Sequence, residues 1–306
     1  MEEMGKTALL LASVASAMLV ACLAVALTAL PGSGQTATAA TLVGAGDISS
    51  CSPDNRDGAT ARLLGRIPGT VFALGDNVYP YGSAENFRNC YDPTWGRYKG
   101  RTRPAVGNHE YYHTEAARPY FDYFGWRAGA RGKGYYSYDR ENWHIVVLNS
   151  NCDKVGGCGR RSAQGRWLRD NLVDNPSRCT LAYFHHPLYA SGTGTTTPEV
   201  KPLWRMLYDR RVEVILSGHA HRYERYAPMT PGGAKSPERG IRQFVVGTGG
   251  EPGGSEIHRA DAPNMQVVET DVFGVLRLNL RADSYAWRFV PIEGKTFTDS
   301  GEDQCH

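Results

Sequence analysis

No block of lysine or arginine, no Cys-x-x-Cys pair and, beyond residue 40, no linker, internal repeat or low-complexity tract occurs in this chain of 306 residues. The first absence, with a formal charge of only +3, gives nucleic acid no basic, aromatic face to bind. The second argues against a structural zinc site. The third leaves no break in composition at which to divide residues 41–306, which read as one domain. What is present is ordinary for a folded protein: 41% hydrophobic and 21% charged residues, enough to bury a core and to exclude wholesale disorder.

Long apolar runs are scarce as well, and the single one covers residues 8–30. Lys6 is the only basic residue before it, and the small-residue segment PGSGQTATAA follows. The end Ala37-Thr38-Ala39 suits a signal peptidase, so residues 1–40 read as a signal peptide. The run is also long enough to remain as an N-terminal anchor, the one route by which the chain would meet a membrane. Leu19-Val20-Ala21-Cys22 resembles a lipoprotein-type site, although the apolar run continues past it. Beyond Cys22 six cysteines remain, an even number that fits disulfides in an oxidising compartment. Cys152 and Cys158 flank a short flexible DKVGG loop and are the nearest local pair. The expected partners among the rest are Cys51 with Cys90, and Cys179 with Cys305, the last tying the tail to the start of a strand.

Short β-branched runs recur along the chain, among them ATLVGAGD, GTVFALGD, WHIVVLNS, CTLAYFHH, VEVILSGH and RQFVVGTGG. Helical patterns alternate with them, as in DGATARLLGRI, SAQGRWLRDNLVDN and EVKPLWRMLYDRR. This alternation predicts an α/β domain whose sheets are covered by helices. Ligands of such folds gather beyond the carboxyl ends of strands. The polar residues stand there too: Asp47 in GAGD, Asp76 and Tyr79 in GDNVY, Asn108, His109 and Glu110 in GNHE, His185 and His186 in FHHPLY, and His219 and His221 in GHAH. Five of the nine histidines fall in these stretches. Oxygen and imidazole donors repeated at several strand ends suit a pair of metal ions. Asp76 has two oxygens and can bridge such a pair.

Taken in order, GD, GDNVY, GNHE, AYFH and GHAHRYER resemble the motif set of the calcineurin-like metallophosphoesterases. The tyrosine of GDNVY and the run GHAHRYER resemble, within that superfamily, the purple acid phosphatases. One motif departs from the pattern: where Gly-Asp-x-Gly is usual, this chain has GDIS, with Ser49 in the glycine's place. The resemblance implies a single-domain, four-layer α/β sandwich of two mixed sheets flanked by helices. No additional N-terminal β-domain of the large plant-type enzymes is expected, because Asp47 follows the export segment almost at once.

For the site, the resemblance implies Asp47, Tyr79 and His221 on one ion, and Asn108, His185 and His219 on the other, with Asp76 bridging. The implied cofactor is a dinuclear centre, Fe(III) with Fe(II), Zn(II) or Mn(II). A phenolate from Tyr79 suits Fe(III) and would colour the protein violet. The implied reaction is hydrolysis of a small phosphomonoester by metal-bound hydroxide, His109 protonating the leaving oxygen and His186 standing on the substrate side. Phosphodiester or nucleotide cleavage on the same fold is the alternative, and a secreted, metal-stapled binding protein without chemistry is another. The segments YASGTGTTTPE and GTGGEPGG are expected to border the pocket, and Tyr189 and Tyr223 to contact substrate. A bond from His109 to Glu110 or to a backbone carbonyl would give His109 a supporting role instead.

Overall fold

The parallel strands of this fold are mostly apolar because both of their faces are covered. In the computed structural model, which describes residues 39–112, 114, 116–192, 194–253, 256–257 and 262–306, every residue of five of these strands is buried. These include β2 (Thr70–Leu74), which follows β1 (Ala40–Ala45) and α1 (Asp57–Arg66). After the short α2 (Ala84–Asn86) come β3 (Thr102–Ala105), α3 (His109–Tyr112), α4 (Arg118–Phe124) and the hairpin of β4 (Tyr136–Arg140) and β5 (Trp143–Val147). The second half alternates α5 (Ala163–Asp174), β6 (Cys179–Tyr183), α6 (Lys201–Asp209) and β7 (Val214–Ser217). It ends in strands: β8 (Tyr223–Tyr226), β9 (Arg242–Val246), β10 (Met265–Glu269), β11 (Gly274–Leu280), β12 (Ser284–Pro291) and β13 (Ser300–Gln304).

The strands make two mixed sheets. One has six strands in the order β13-β12-β11-β1-β2-β3, the other seven in the order β10-β8-β9-β7-β6-β5-β4. The first is parallel across β1, β2 and β3, and the second across β5, β6, β7 and β9. Side-chain alternation then divides the core. Ile145, Val147, Leu181, Tyr183, Val214, Leu216, Phe244 and Val246 join residues of the other sheet in the core between the sheets. Their neighbours Val146, Ala182, Ile215 and Val245 point outward into a second core under α5 and α6, with Leu168, Leu203, Trp204 and Leu207. The two sheets flanked by helices are the α/β sandwich that the sequence predicts.

All three expected disulfides are present: Cys51–Cys90, Cys152–Cys158 and Cys179–Cys305. Among the described residues no helix is long and apolar enough to cross a membrane. The signal peptide or anchor read for residues 1–40 lies, but for its last two positions, outside the described residues.

The strands without an apolar signature are those that the sequence hides. β13 reads SGEDQ and alternates exposed with half-buried positions at a sheet edge, where charge discourages further pairing. β8 reads YERY, and its Glu224 is buried because Ser191 and Tyr226 bond to its carboxylate.

Candidate metal centre

The parallel ladder of β1 and β2 does not stop where the strands do. It continues through Asp47 N–H to Gly75 O, Ile48 N–H to Asp76 O and Ser49 N–H to Asn77 O, and Tyr79 N–H then returns to Ser49 O. Asp47, Asp76 and Tyr79 are held side by side by this extension. Ser49 serves in it as a paired, fully buried residue and is not among the positive-φ positions, so the loop accepts serine where the motif usually has glycine.

The second sheet closes on the same point. Gly46 N–H bonds to Val246 O, and His185, just past β6, bonds through Nδ1 to Leu74 O at 2.8 Å. Asp47, Asp76, His219 and His221 all have positive φ, at 58°, 46°, 71° and 47°. That conformation costs a non-glycine residue roughly 1 kcal/mol or more, so the surrounding frame has to impose it. Two glycines make room. Gly75 has φ +87°, and a Cβ on Gly107 would lie 2.1 Å from Asp76 Oδ1.

Each carboxylate is divided between frame and site. Asp47 Oδ2 accepts His219 N–H at 2.7 Å, and Asp76 Oδ1 accepts His109 N–H at 2.8 Å. The other oxygens face inward. Around the first lie Tyr79 Oη, 2.9 Å from Asp47 Oδ1, 3.2 Å from Asp76 Oδ2 and 3.0 Å from His221 Nε2. Around the second, His185 Nε2 is 3.1 Å from Asp76 Oδ2, 3.0 Å from Asn108 Oδ1 and 3.3 Å from His219 Nδ1. Two overlapping sets of donors thus share Asp76 Oδ2.

Donors bound side by side to one ion at about 2.0–2.2 Å must lie about 3 Å apart, which is the spacing found here. The ring nitrogens agree: with Nδ1 of His185 on Leu74 O and Nδ1 of His221 on Pro252 O, each Nε2 is left for the cage. Residues of both kinds could therefore hold metal, and carboxylate–imidazole groups such as Asp47, Asp76 and His185 are close enough to share one ion.

Electrostatics point the same way. Burial would raise Asp47 and Asp76, but the imidazoles of His221 and His185 outweigh it and hold both carboxylates below their usual range. Burial would lower His185 and His221, yet Asp76 and Asp47 respectively carry them up to about 9. Protons on these rings supply the positive charge that two buried carboxylates demand. Burial and the neighbouring Asp47 raise Tyr79 well above an ordinary phenol, and a cation beside it would reverse that.

Beside the cage, the His109 ring bonds through Nδ1 to Pro80 O at 2.7 Å and places Nε2 3.8 Å from Asp76 Oδ2. His186 stands against the rings of both His185 and His219, at 4.8 and 4.6 Å, with Nδ1 2.8 Å from Ser150 Oγ. Two clefts flank the centre. One of about 490 Å³ is lined by Asn108, Tyr112, Ser150, Lys154, His186 and Glu199 among others, and one of about 610 Å³ by Tyr79, His109, His221 and Glu251 among others. Parts of the two glycine-rich segments therefore border the site, through Thr197 and Glu199 and through Glu251.

Two expectations differ from the structure. Tyr223 is fully buried between the sheets against Phe289 and bonded to Asp299. Tyr189 turns its hydroxyl to Pro231 O. Of the two bonds considered for a supporting role of His109, it makes the one to a carbonyl, but through Nδ1, so that Nε2 still faces the site and the support does not exclude a part in proton transfer. Glu110 is instead fully buried and accepts the backbone N–H groups of Gly107, Asp76, Asn77 and Val78. Burial and Asp76 push it up to about 7 against those donors. Its place in GNHE was visible in the sequence, but an acceptor for four N–H groups of two separate loops was not.

Residues 41–223 match the family model described as Calcineurin-like phosphoesterase. Probable purple acid phosphatase 20 of Arabidopsis thaliana is 28% identical over 167 residues, 46% of this chain and 38% of its own. Purple acid phosphatase 23 of the same plant is 26% identical over 214 residues, 63% of this chain and 45% of its own. The chain thus spans less than half the length of these relatives. Among solved structures, the purple acid phosphatase PPD1 from yellow lupin (Lupinus luteus) seeds superposes with a TM-score of 0.70 at 18% identity, over 88% of this chain and 54% of that one. GAP50, the anchor in the inner membrane complex of Plasmodium, superposes with a TM-score of 0.62 at 12% identity, over 86% of this chain and 88% of its own. At these identities the structures show the fold alone.

Proposed function

This chain belongs to the calcineurin-like phosphoesterase family, and from that premise we propose that it is an exported, dinuclear phosphatase of the purple acid phosphatase type, hydrolysing phosphomonoesters. The observation that carries the proposal is the meeting of seven side chains in two donor sets that share Asp76 Oδ2. Asp47, Tyr79 and His221 would hold one ion, Asn108, His185 and His219 the other, and Asp76 both. Fe(III) suits the first position, since a Tyr79 phenolate would be a hard anionic donor; Fe(II), Zn(II) or Mn(II) suit the second. When bound, such a pair would polarise phosphoryl oxygens and acidify water.

The chain's own residues supply the rest. His109 is fixed by Pro80 O at Nδ1 and by Asp76 at its backbone N–H, so that Nε2 faces the site as the proton donor to the departing oxygen. His186, set by Ser150, stands on the opposite side beside the Asn108 cleft and is suited to contact a phosphoryl oxygen. Export is supported by the three disulfides, which persist in oxidising compartments. The deciding experiment is metal analysis with a visible spectrum, joined to hydrolysis rates on a monoester and a diester of one chromogenic phenol. Two metals, a violet band and faster monoester cleavage are expected. Faster diester cleavage would move the chain to the diesterase branch, and bound metals without hydrolysis would make it a binding protein.

A further inference from the structure

We propose that Tyr112 is a positioning residue that fixes both the Asn108 amide and the His109 imidazole toward the metal cage. The inference rests on the two-cation reading above. Asn108 and Tyr112 are four residues apart across the single turn of α3, a spacing that places side chains on one face of a helix. Asn108 Nδ2 donates to Tyr112 Oη at 2.9 Å, while Asn108 Oδ1 lies 3.0 Å from His185 Nε2. An asparagine can serve a cation only through its oxygen, and the reversed amide would aim N–H groups at the positive charge. With its nitrogen held outward by the phenol, the amide plane is set and its oxygen stays in the cage.

The same phenol ring forms one wall of His109. The imidazole lies between Tyr79, at 4.2 Å between ring centroids, and Tyr112, at 4.5 Å. Pro80 O takes Nδ1, so ring contact and hydrogen bond together leave one direction for Nε2. Tyr112 is nevertheless 58% exposed. Its loss removes little from the core, and an effect on the centre can be separated from an effect on folding.

Removing a group that orients a metal ligand typically costs 10- to 100-fold in affinity; for a bond this exposed, about tenfold is expected. The protein would be stripped with chelator and titrated with Zn(II) alone as wild type, Tyr112→Phe and Tyr112→Ala, with thermal melting recorded alongside. Wild type is expected to take up two ions. Tyr112→Phe should bind the first as wild type does and the second about tenfold more weakly, with the same melting temperature. At saturating Zn(II), Tyr112→Ala should also turn over a chromogenic monoester more slowly than Tyr112→Phe, because His109 has lost a wall. Once Asn108→Ala has removed the amide, adding Tyr112→Phe should weaken the second ion no further. A wild type that binds fewer than two ions overturns the two-cation reading and this inference with it. Two ions in wild type with equal second-site affinity in Tyr112→Phe overturns the role of Tyr112 alone.

Discussion

His109 shows how much of the centre depends on single atoms. Its backbone N–H holds Asp76 Oδ1, so the residue supports that carboxylate whatever its side chain does. The side chain's own contacts run to Pro80 O and to the rings of Tyr79 and Tyr112. Replacing the imidazole while keeping the backbone separates the two contributions. His109→Ala should therefore lower kcat by roughly 10²–10⁴, the range for losing a positioned general acid, with metal content intact. Metal analysis and steady-state kinetics on one preparation check this. Loss of metal from the variant would assign His109 to the frame instead.

At the level of elements, the site is built from strand ends that outlast their strands. Loop 75–79 extends the β2 ladder, and loop 107–110 opens α3, yet their registration depends on the carboxylate of Glu110 between them. Glu110→Ala would leave the buried N–H groups of Gly107, Asp76, Asn77 and Val78 without their acceptor. A buried donor left without a partner costs about 1–3 kcal/mol, so a loss of several kcal/mol in unfolding free energy is expected. Denaturant titration measures it, and metal content should fall in parallel because Asp76 loses its fixed backbone. A variant as stable as wild type would mean that water replaces the carboxylate.

Across the whole molecule, the C-terminal strand ties one sheet to the other. β13 pairs with β12 in the six-stranded sheet, while Asp303 reaches Arg242 of β9, Asp299 reaches Arg225 of β8, and Cys305 is bonded to Cys179 of β6. The last residue completes the tie, with His306 Nδ1 3.4 Å from Glu213 Oε1 beside β7. The hydrogen bond to Glu213 raises His306 above its ordinary value. A histidine raised in the folded state contributes stability that is fully present below about pH 6.5, its unfolded value. That stability is lost as pH rises through the folded value. Denaturant midpoints of wild type and His306→Gln should thus differ at pH 5.5 and converge at alkaline pH. The gap should be only a few tenths of a kcal/mol, since the pair is partly solvated. A gap that widens with pH would contradict the assignment.

The sequence by itself determined the alternation of strands and helices and the gathering of polar residues at the strand ends. These follow from local chemistry: an apolar run buried on both faces ends in glycine, and the next polar residue must lie at a strand's carboxyl end. Tyr223 and Tyr189 misled because a tyrosine near a motif carries no sign of which way its ring turns. Only the tertiary structure decided that Tyr223 enters the core, that Glu110 staples two loops, and that Tyr112 meets Asn108 and His109. It also decided which oxygen of each aspartate and which nitrogen of each histidine faces the cage. Those choices are made by backbone donors and acceptors distant in the chain, His219 N–H for Asp47 and Leu74 O for His185, and no local pattern encodes them.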